Sequence, residues 1–241
     1  MKVTVIGLGP GGGADLTGRA RAALEACDLI VGYTAYIDLV RADFPQKETL
    51  STGMRREVDR CRAAVEAART GKDVAVVCSG DSGVYGMAGL IYEVAQEYDP
   101  IEIEVVPGIT AACGGAAVLG APLTHDFAVI SLSDLLTPWE KIETRLALAA
   151  QADFVLCLYN PRSRSRADYL RRACDILLRH KAPDTVCGYV QNIGRDGQKS
   201  RVLTLGELAH EPLDMFTTVL IGNAETQERF GRMLTPRGYR L

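Results

Sequence analysis

The chain has 241 residues, of which 47% are hydrophobic and 24% charged, and its net charge is −3. This composition can bury a core in one large or two modest domains. The charge gives no general attraction to nucleic acid or to an anionic membrane, and no apolar run reaches the ~18 residues of a membrane span. Because a strand-like sequence opens the chain, with no signal-peptide pattern, we expect a cytoplasmic protein.

The apolar runs of strand length alternate with helical periods along the chain. The predicted strands cover residues 3–6, 29–31, 74–78, 103–106, 127–132, 154–158, 186–190 and 218–221. One predicted helix presents Met54, Val58, Cys61, Val65 and Ala68 on a single face. Another is predicted to begin at Pro138, with Thr137 as its N-cap and Glu140 as the returning carboxylate of a capping box. The alternation predicts an α/β protein with mainly parallel sheets.

A domain boundary is expected near residues 107–122, where a helix rich in alanine and glycine lies between Pro107 and Pro122. We place an N-terminal α/β domain at residues 1–115 and a C-terminal α/β domain at 116–241. The seven cysteines are scattered and show no metal-ligand spacing. They are therefore predicted to be buried reduced thiols, and no metal site is expected.

The first glycine-rich turn is KVTVIGLGPGGG, in which Gly7, Gly9 and Gly12 match the dinucleotide motif G-x-G-x-x-G. That motif also expects an acidic residue at the end of the second strand, where this chain has Gly32 and Tyr33. The favoured interpretation is therefore a glycine turn that shapes some other kind of pocket. A nicotinamide-dependent oxidoreductase stays as the less favoured alternative.

Two further glycine turns follow strands. Ser79–Gly83 comes after the run 74–78, with a helix expected to start near Val84, and Pro107–Gly108 comes after the run 103–106. Ligands of open α/β sheets bind at the carboxyl ends of strands. The three turns predict one ligand held by main-chain atoms of several loops, although Asp81 or Ser82 could instead cap the helix.

Five motifs together resemble the tetrapyrrole methylases, a family of two-domain methyltransferases of class III that use S-adenosylmethionine. They are GLGPGG (7–12), SGDSGVYGMAG (79–89), VPGITAACGGAA (106–117), ISLSDLLTPWEKIE (130–143) and LYNPRSR (158–164). They occur in order over nearly the whole chain. Within the family they are most similar to the ring-contracting members of cobalamin biosynthesis. This resemblance implies methylation of C17 of precorrin-3B, or of its cobalt counterpart, with contraction of the macrocycle.

The resemblance also implies where the ligands bind. The cofactor would lie between the two domains and the N-terminal domain would line the tetrapyrrole cleft. The implied cofactor-binding residues are Pro10, Ser79, Gly80, Asp81, Val84, Thr110, Ala111, Tyr159 and Asn160. Related uroporphyrinogen methyltransferases tend to carry methionine where this chain has Asn160. The family suggests a homodimer.

The substrate side is predicted from the chemistry that the macrocycle needs. Ring contraction calls for proton donors and acceptors, and the candidates are His125, Asp134 and Asp81, of which His125 could also be a surface histidine and Asp134 a turn cap. The acetate and propionate arms call for cations and polar groups. The predicted substrate-binding residues are Arg162 and Arg164, together with Ser131 and Ser133, and the resemblance adds Gly9 and Gly11 of the first glycine turn. Arg171 and Arg172 are assigned to a solvated helix face.

Several alternatives remain open at this point. The chain could be another tetrapyrrole methylase, acting on a different corrin position, or a relative that methylates ribosomal RNA or a modified protein side chain. A nucleotide-sensing module is a further alternative. Because the chain is acidic overall, we expect a small tetrapyrrole as partner and neither nucleic acid nor a membrane.

Overall fold

The computed structural model describes residues 2–163 and 167–240. The chain divides into two compact units, Met1–Ala111 and Ala112–Leu241. The division falls four residues before the predicted one at 115/116. None of the helices in the described ranges combines the length and apolarity needed to cross a bilayer.

The first unit is built on a five-stranded sheet of order β3-β2-β4-β1-β5, in which every pairing is parallel. Its strands are β1 Lys2–Gly7, β2 Leu29–Tyr33, β3 Glu48–Thr52, β4 Asp73–Cys78 and β5 Glu102–Val106. Its helices are α1 Gly18–Ala26, α2 Thr34–Arg41, α3 Glu57–Arg69 and α4 Ala88–Ala95. Alternate residues of β4 enter different core clusters, Val74 and Val76 in one and Ala75 and Val77 in the other. Both faces are therefore covered, which explains the unbroken apolar run of this strand.

The second unit contains a five-stranded sheet of order β10-β9-β11-β8-β7 and a small sheet of order β12-β13-β6. Its strands are β6 Gly120–Ala121, β7 Phe127–Ser131, β8 Val155–Tyr159, β9 Val186–Gln191, β10 Lys199–Thr204, β11 Thr217–Ile221, β12 Gln227–Arg229 and β13 Arg232–Leu234. Its helices are α5 Ala111–Leu119, α6 Trp139–Gln151, α7 Tyr169–Leu177 and α8 Leu205–Leu208.

The predicted α/β class and the parallel first sheet are confirmed. The prediction of a mainly parallel sheet was wrong for the second unit. In the larger sheet of the second unit, β7 and β8 run parallel, and the other three pairings are antiparallel. The connection from β9 to β10 covers residues 192–198 and contains no helix. A short connection of this kind turns the chain back beside itself, which gives an antiparallel pair.

Three predicted helix starts also differ from the structure. Helix α4 begins at Ala88 rather than near Val84. Helix α6 begins after Pro138 without a side-chain capping hydrogen bond, so the predicted capping box does not form. Helix α3 begins at Glu57, and Met54 and Val58 are exposed rather than part of its buried face.

Candidate active site

The three glycine turns of the first unit lie side by side, because β4, β1 and β5 are neighbouring parallel strands whose carboxyl ends meet at one edge. The main chains are in close contact there. A Cβ atom on Gly108 would lie 2.2 Å from the Gly80 carbonyl oxygen, and one on Gly7 would lie 2.5 Å from the Gly108 nitrogen. These positions therefore require glycine.

Hydrogen bonds join the first two turns. The Gly9 N–H donates to the Gly80 carbonyl at 3.0 Å, and the Gly80 N–H donates to the Gly9 carbonyl at 2.8 Å. Both residues have positive φ, 75° and 70°, where glycine is favoured. A Cβ on Gly80 would point at Thr110 and Ala111, whose atoms lie 3.7–3.9 Å from it. The structure thus brings together predicted ligand residues from all three turns.

The Asp81 carboxylate fixes the second turn to the third. Its Oδ2 accepts the Gly108 N–H at 2.9 Å, and its Oδ1 accepts the N–H groups of Gly83 and Val84 at 2.8 and 3.1 Å. The fully buried Ser82 adds a bond from its hydroxyl to the Val106 carbonyl at 3.0 Å. These contacts give Asp81 a role in shaping the loops, and they do not favour its predicted role as an acid or base.

The surface of these turns combines apolar side chains with main-chain polar groups. Val84, Tyr85 and Ile109 are exposed, and Tyr85 has a φ of 55°. Pro10 and Gly11 are buried in the first turn, beside Gly9. Exposed apolar surface next to backbone donors and acceptors is suited to a nucleoside, which has apolar faces and polar edges.

In the second unit, the carboxyl ends of β7 and β8 bring Ser131, Ser133 and Asn160 together, since Ser131 is paired with Tyr159. The Asn160 Nδ2 donates to the Ser131 Oγ at 3.0 Å, and the same oxygen accepts the Ser133 N–H at 3.2 Å. Asn160 has a φ of 54°. Backbone strain of this kind is frequent at ligand sites.

Two tyrosines support this edge of the second sheet. The Tyr159 hydroxyl accepts the Ala112 N–H at 2.6 Å and so caps the first turn of α5. The Tyr169 hydroxyl donates to the Asp134 carboxylate at 2.6 Å, and this hydrogen bond, together with burial, raises the pKa of Tyr169. The Tyr169 ring packs against Trp139 with centroids 4.5 Å apart.

Arg172 is not on a solvated face as predicted. It is partly buried, and its guanidinium carbon lies 4.1 Å from the centre of the Trp139 ring and 5.0 Å from that of Tyr169. The neighbouring Arg171 is exposed, as expected. Of the two predicted substrate arginines, Arg162 is partly buried and Arg164 lies outside the described residues.

His125 does not join the cluster of Ser131 and Asp134. It lies before the amino end of β7, with its Nε2 3.7 Å from the Glu225 carboxylate. Ser131 is the last residue of the same strand, and a strand advances about 3.3 Å per residue. The five-residue strand β7 therefore separates His125 from Ser131 and Asp134, and the role of His125 as an acid or base stays a prediction.

The sequence analysis did not select Ser82 and Tyr169 as site residues. Ser82 lay in a turn that was recognised, whereas Tyr169 lies at a helix start with no motif of its own. No group of three histidine, cysteine, aspartate or glutamate side chains within the described ranges is arranged to hold a metal ion.

The parallel sheet with its glycine turns, followed by the mixed-sheet unit, is the fold of the class III methyltransferases. Residues 2–209 match the family model of the Tetrapyrrole (Corrin/Porphyrin) Methylases. The chain belongs to this family.

Individual relatives agree with that assignment. The chain is 48% identical to a probable cobalt-factor III C(17)-methyltransferase of Salmonella typhimurium, over 99% of this chain and 100% of that protein. It is similar to the crystal structure of the methyltransferase CobJ, with a TM-score of 0.91 and 39% identity over 97% of this chain and 99% of that one. A uroporphyrin-III C-methyltransferase of Thermus thermophilus, complexed with S-adenosylhomocysteine, has the same fold at 20% identity, with a TM-score of 0.70 over 92% of this chain and 97% of that one.

Proposed function

We propose that the protein is an S-adenosylmethionine-dependent C-methyltransferase of cobalamin biosynthesis, which methylates C17 of cobalt-factor III and contracts the macrocycle. The observation that carries this proposal is the full-length match to the Salmonella relative, because it covers both units of the fold and the loops of both. The cobalt ion belongs to the substrate in this proposal. Metal-free precorrin-3B is the competing substrate.

The loops of the first unit fit the cofactor. S-Adenosylmethionine supplies a sulfonium methyl group, whose sulfur keeps the bonding electrons while the macrocycle carbon provides the new pair. The residues that would hold the nucleoside are Pro10, Ser79, Gly80, Val84, Thr110 and Ala111. Support for this comes from the exposed apolar surface of Val84 beside main-chain groups fixed by the Gly9–Gly80 bonds and the Asp81 carboxylate. A fixed loop set contributes positioning, which is the main requirement of methyl transfer.

The residues of the second unit are assigned to the remaining contacts. Asn160 would meet the adenosine side, and Ser131 and Ser133 would meet the macrocycle, since one hydrogen-bond network joins the three. Arg162 would bind a carboxylate arm. For proton transfer during ring contraction, the geometry favours Asp134 over His125, because Asp134 lies at the same end of β7 as Ser131 and holds the Tyr169 hydroxyl. The enzyme is proposed to act in the cytoplasm as a homodimer.

The test is an incubation of the purified protein with methyl-labelled S-adenosylmethionine and either cobalt-factor III or precorrin-3B, followed by mass spectrometry of the macrocycle. We expect cobalt-factor III to gain one labelled methyl group and to retain the extruded carbon as an acetyl substituent. Asp134→Asn should lower contraction about 100-fold, in the range of general acid–base catalysis, whereas the matched variant His125→Gln should leave it unchanged. Labelling of precorrin-3B alone would contradict the cobalt assignment. No labelled macrocycle despite binding of S-adenosylhomocysteine would contradict the proposed function.

A further inference from the structure

Arg60 is a buried cation whose partners are all neutral. It is 3% exposed, in the first turn of α3. Its Nε donates to the Thr52 hydroxyl at 2.9 Å and its Nη2 to the Gly53 carbonyl at 3.0 Å. Its Nη1 meets the Met87 sulfur at 3.9 Å. No acidic side chain in the ranges 2–163 and 167–240 forms an ion pair with this guanidinium.

The other arginines of α3 show the opposite arrangement. Arg62 pairs with Glu97 at 3.1 Å and Arg69 pairs with Asp99 at 3.1 Å, and all four side chains are substantially exposed. Exposed ion pairs contribute little to stability, because water already solvates both charges. A buried charge without a counter-ion is costly. Arg60 is therefore the arginine of α3 that would gain most from an acidic partner, and among the described residues it has none.

The weakest of the Arg60 contacts is the one at Nη1. A thioether sulfur is a weak acceptor, and methionine is flexible enough to move aside. A carboxylate oxygen at the same place would form a charge-assisted hydrogen bond, which is shorter and about twice as strong as a neutral one. The position near the N-terminus of the 13-residue helix α3 adds to the attraction for a negative group.

The residues around Arg60 place it at the edge of the first sheet where the carboxyl ends of the strands meet, which is the edge that carries the glycine turns. Thr52 ends β3, Tyr33 ends β2, and Met87 lies in the segment between β4 and α4. The Tyr33 ring centre is 6.0 Å from the guanidinium carbon. Since the sheet order is β3-β2-β4-β1-β5, Arg60 lies on one half of the edge and the glycine turns on the other, with β4 shared between them. The partly buried Tyr33 and Met87 provide an apolar border beside the cation.

We propose that Arg60 binds a carboxylate arm of the tetrapyrrole substrate, and that this carboxylate takes the place of the Met87 sulfur at Nη1. The inference rests on the proposed function, which supplies a macrocycle with acetate and propionate arms. The carboxylate of S-adenosylmethionine has the same chemistry, but the proposed nucleoside contacts lie on the glycine-turn half of the edge. We therefore assign Arg60 to the macrocycle.

The experiment measures binding of uroporphyrin III and of its fully esterified form by absorption titration. The proteins compared are the wild type, Arg60→Met, Arg60→Lys and the control Arg62→Met. The wild-type protein and the control should prefer the free acid. Arg60→Met should lose about 10- to 100-fold in affinity for the acid, the worth of a hydrogen bond to a charged group, and nothing for the ester. Arg60→Lys should restore part of the preference. Binding of S-adenosylhomocysteine, measured by calorimetry, should be unchanged in every variant.

A second pair of variants leaves Arg60 in place, in case Arg60→Met does not fold. Met87→Glu would supply an internal carboxylate to Nη1 and should weaken binding of the acid, whereas the neutral Met87→Gln should not. Equal affinity of wild type, Arg60→Met and Met87→Glu for the acid would refute the proposal while leaving the function intact. Loss of S-adenosylhomocysteine binding in Arg60→Met, with tetrapyrrole binding retained, would refute it in favour of the cofactor carboxylate. If the wild-type protein binds the free acid no more tightly than the ester, the inference fails, and the labelling experiment with cobalt-factor III separately decides the proposed function.

Discussion

Replacement of Gly108 by alanine tests whether close main-chain packing holds the three glycine turns in place. The new Cβ would lie 2.2 Å from the Gly80 carbonyl oxygen and 2.6 Å from the Gly7 carbonyl carbon. Neither atom belongs to a side chain that could rotate away, so the turns would have to separate by about 1 Å. Overpacking of this kind costs about 1–3 kcal/mol. The separation also weakens the two Gly9–Gly80 hydrogen bonds without breaking them, at about 0.5 kcal/mol each.

The expected total loss of unfolding free energy is about 2–4 kcal/mol. A protein of this size loses roughly 2–4 °C of Tm per kcal/mol, so thermal unfolding should occur about 5–15 °C lower. A loop displacement of about 1 Å can also lower activity about 100-fold. Because the displaced turns are the ones proposed to hold the cofactor, calorimetric titration of Gly108→Ala with S-adenosylhomocysteine should show weaker binding than in the wild-type protein.

The matched control is Gly12→Ala in the first turn. Gly12 has a φ of −92°, and a Cβ there would meet nothing within 4 Å. Its Tm and its affinity should stay near those of the wild-type protein. If Gly108→Ala behaves like Gly12→Ala in both measurements, close packing of the turns does not control the site.

Two further predictions concern single side chains. Asn160→Ala removes the bond to Ser131 and leaves a non-glycine residue at a φ of 54°, so urea unfolding should show a loss of about 2 kcal/mol, against about 1 for Asn160→Gly; equal losses would exclude backbone strain. Cys113 is the exposed cysteine and the other six are buried, with burial raising the pKa of Cys61 to about 12. A thiol reagent at pH 8 should therefore modify one group rapidly in the native wild-type protein and none in Cys113→Ser, and a second rapid thiol would contradict this burial.

The sequence predicted the buried strands well and the edge strands poorly. Each of the eight predicted apolar runs corresponds to a strand, and these strands occupy the interior positions of both sheets together with the edges β5 and β7. The three short strands of the small sheet were missed, and so were β3 and β10 of the five-stranded sheets. Strands β3 and β10 lie at the edges of their sheets, and their sequences, ETLST and KSRVLT, are largely polar and contain one buried residue between them. A strand with one open side has little need for an apolar sequence.

The loops of the site were predictable because backbone requirements appear directly in the sequence. Close approach and positive φ need glycine, so the turns around Gly7, Gly80 and Gly108 were visible as motifs. The direction of a carboxylate has no such signature. Asp81 was predicted as a reactive group, whereas its oxygens accept main-chain N–H groups of its own and a neighbouring turn. An aspartate in such a turn can react with a ligand or accept main-chain hydrogen bonds. The neighbouring loop decides between these two roles, and that loop comes from a distant part of the chain.

Arg60 illustrates a different limit, which lies in the periodicity argument itself. The predicted face of α3 contained apolar residues alone, so it extended to Met54 and Val58, which are exposed. The observed buried face instead includes Arg60, together with Cys61, Ala64, Val65 and Ala68. A helical pattern treats an arginine as solvated, and an arginine inside the buried face breaks that pattern. Local rules are expected to fail at functional positions, which agrees with the substrate-binding role proposed for Arg60.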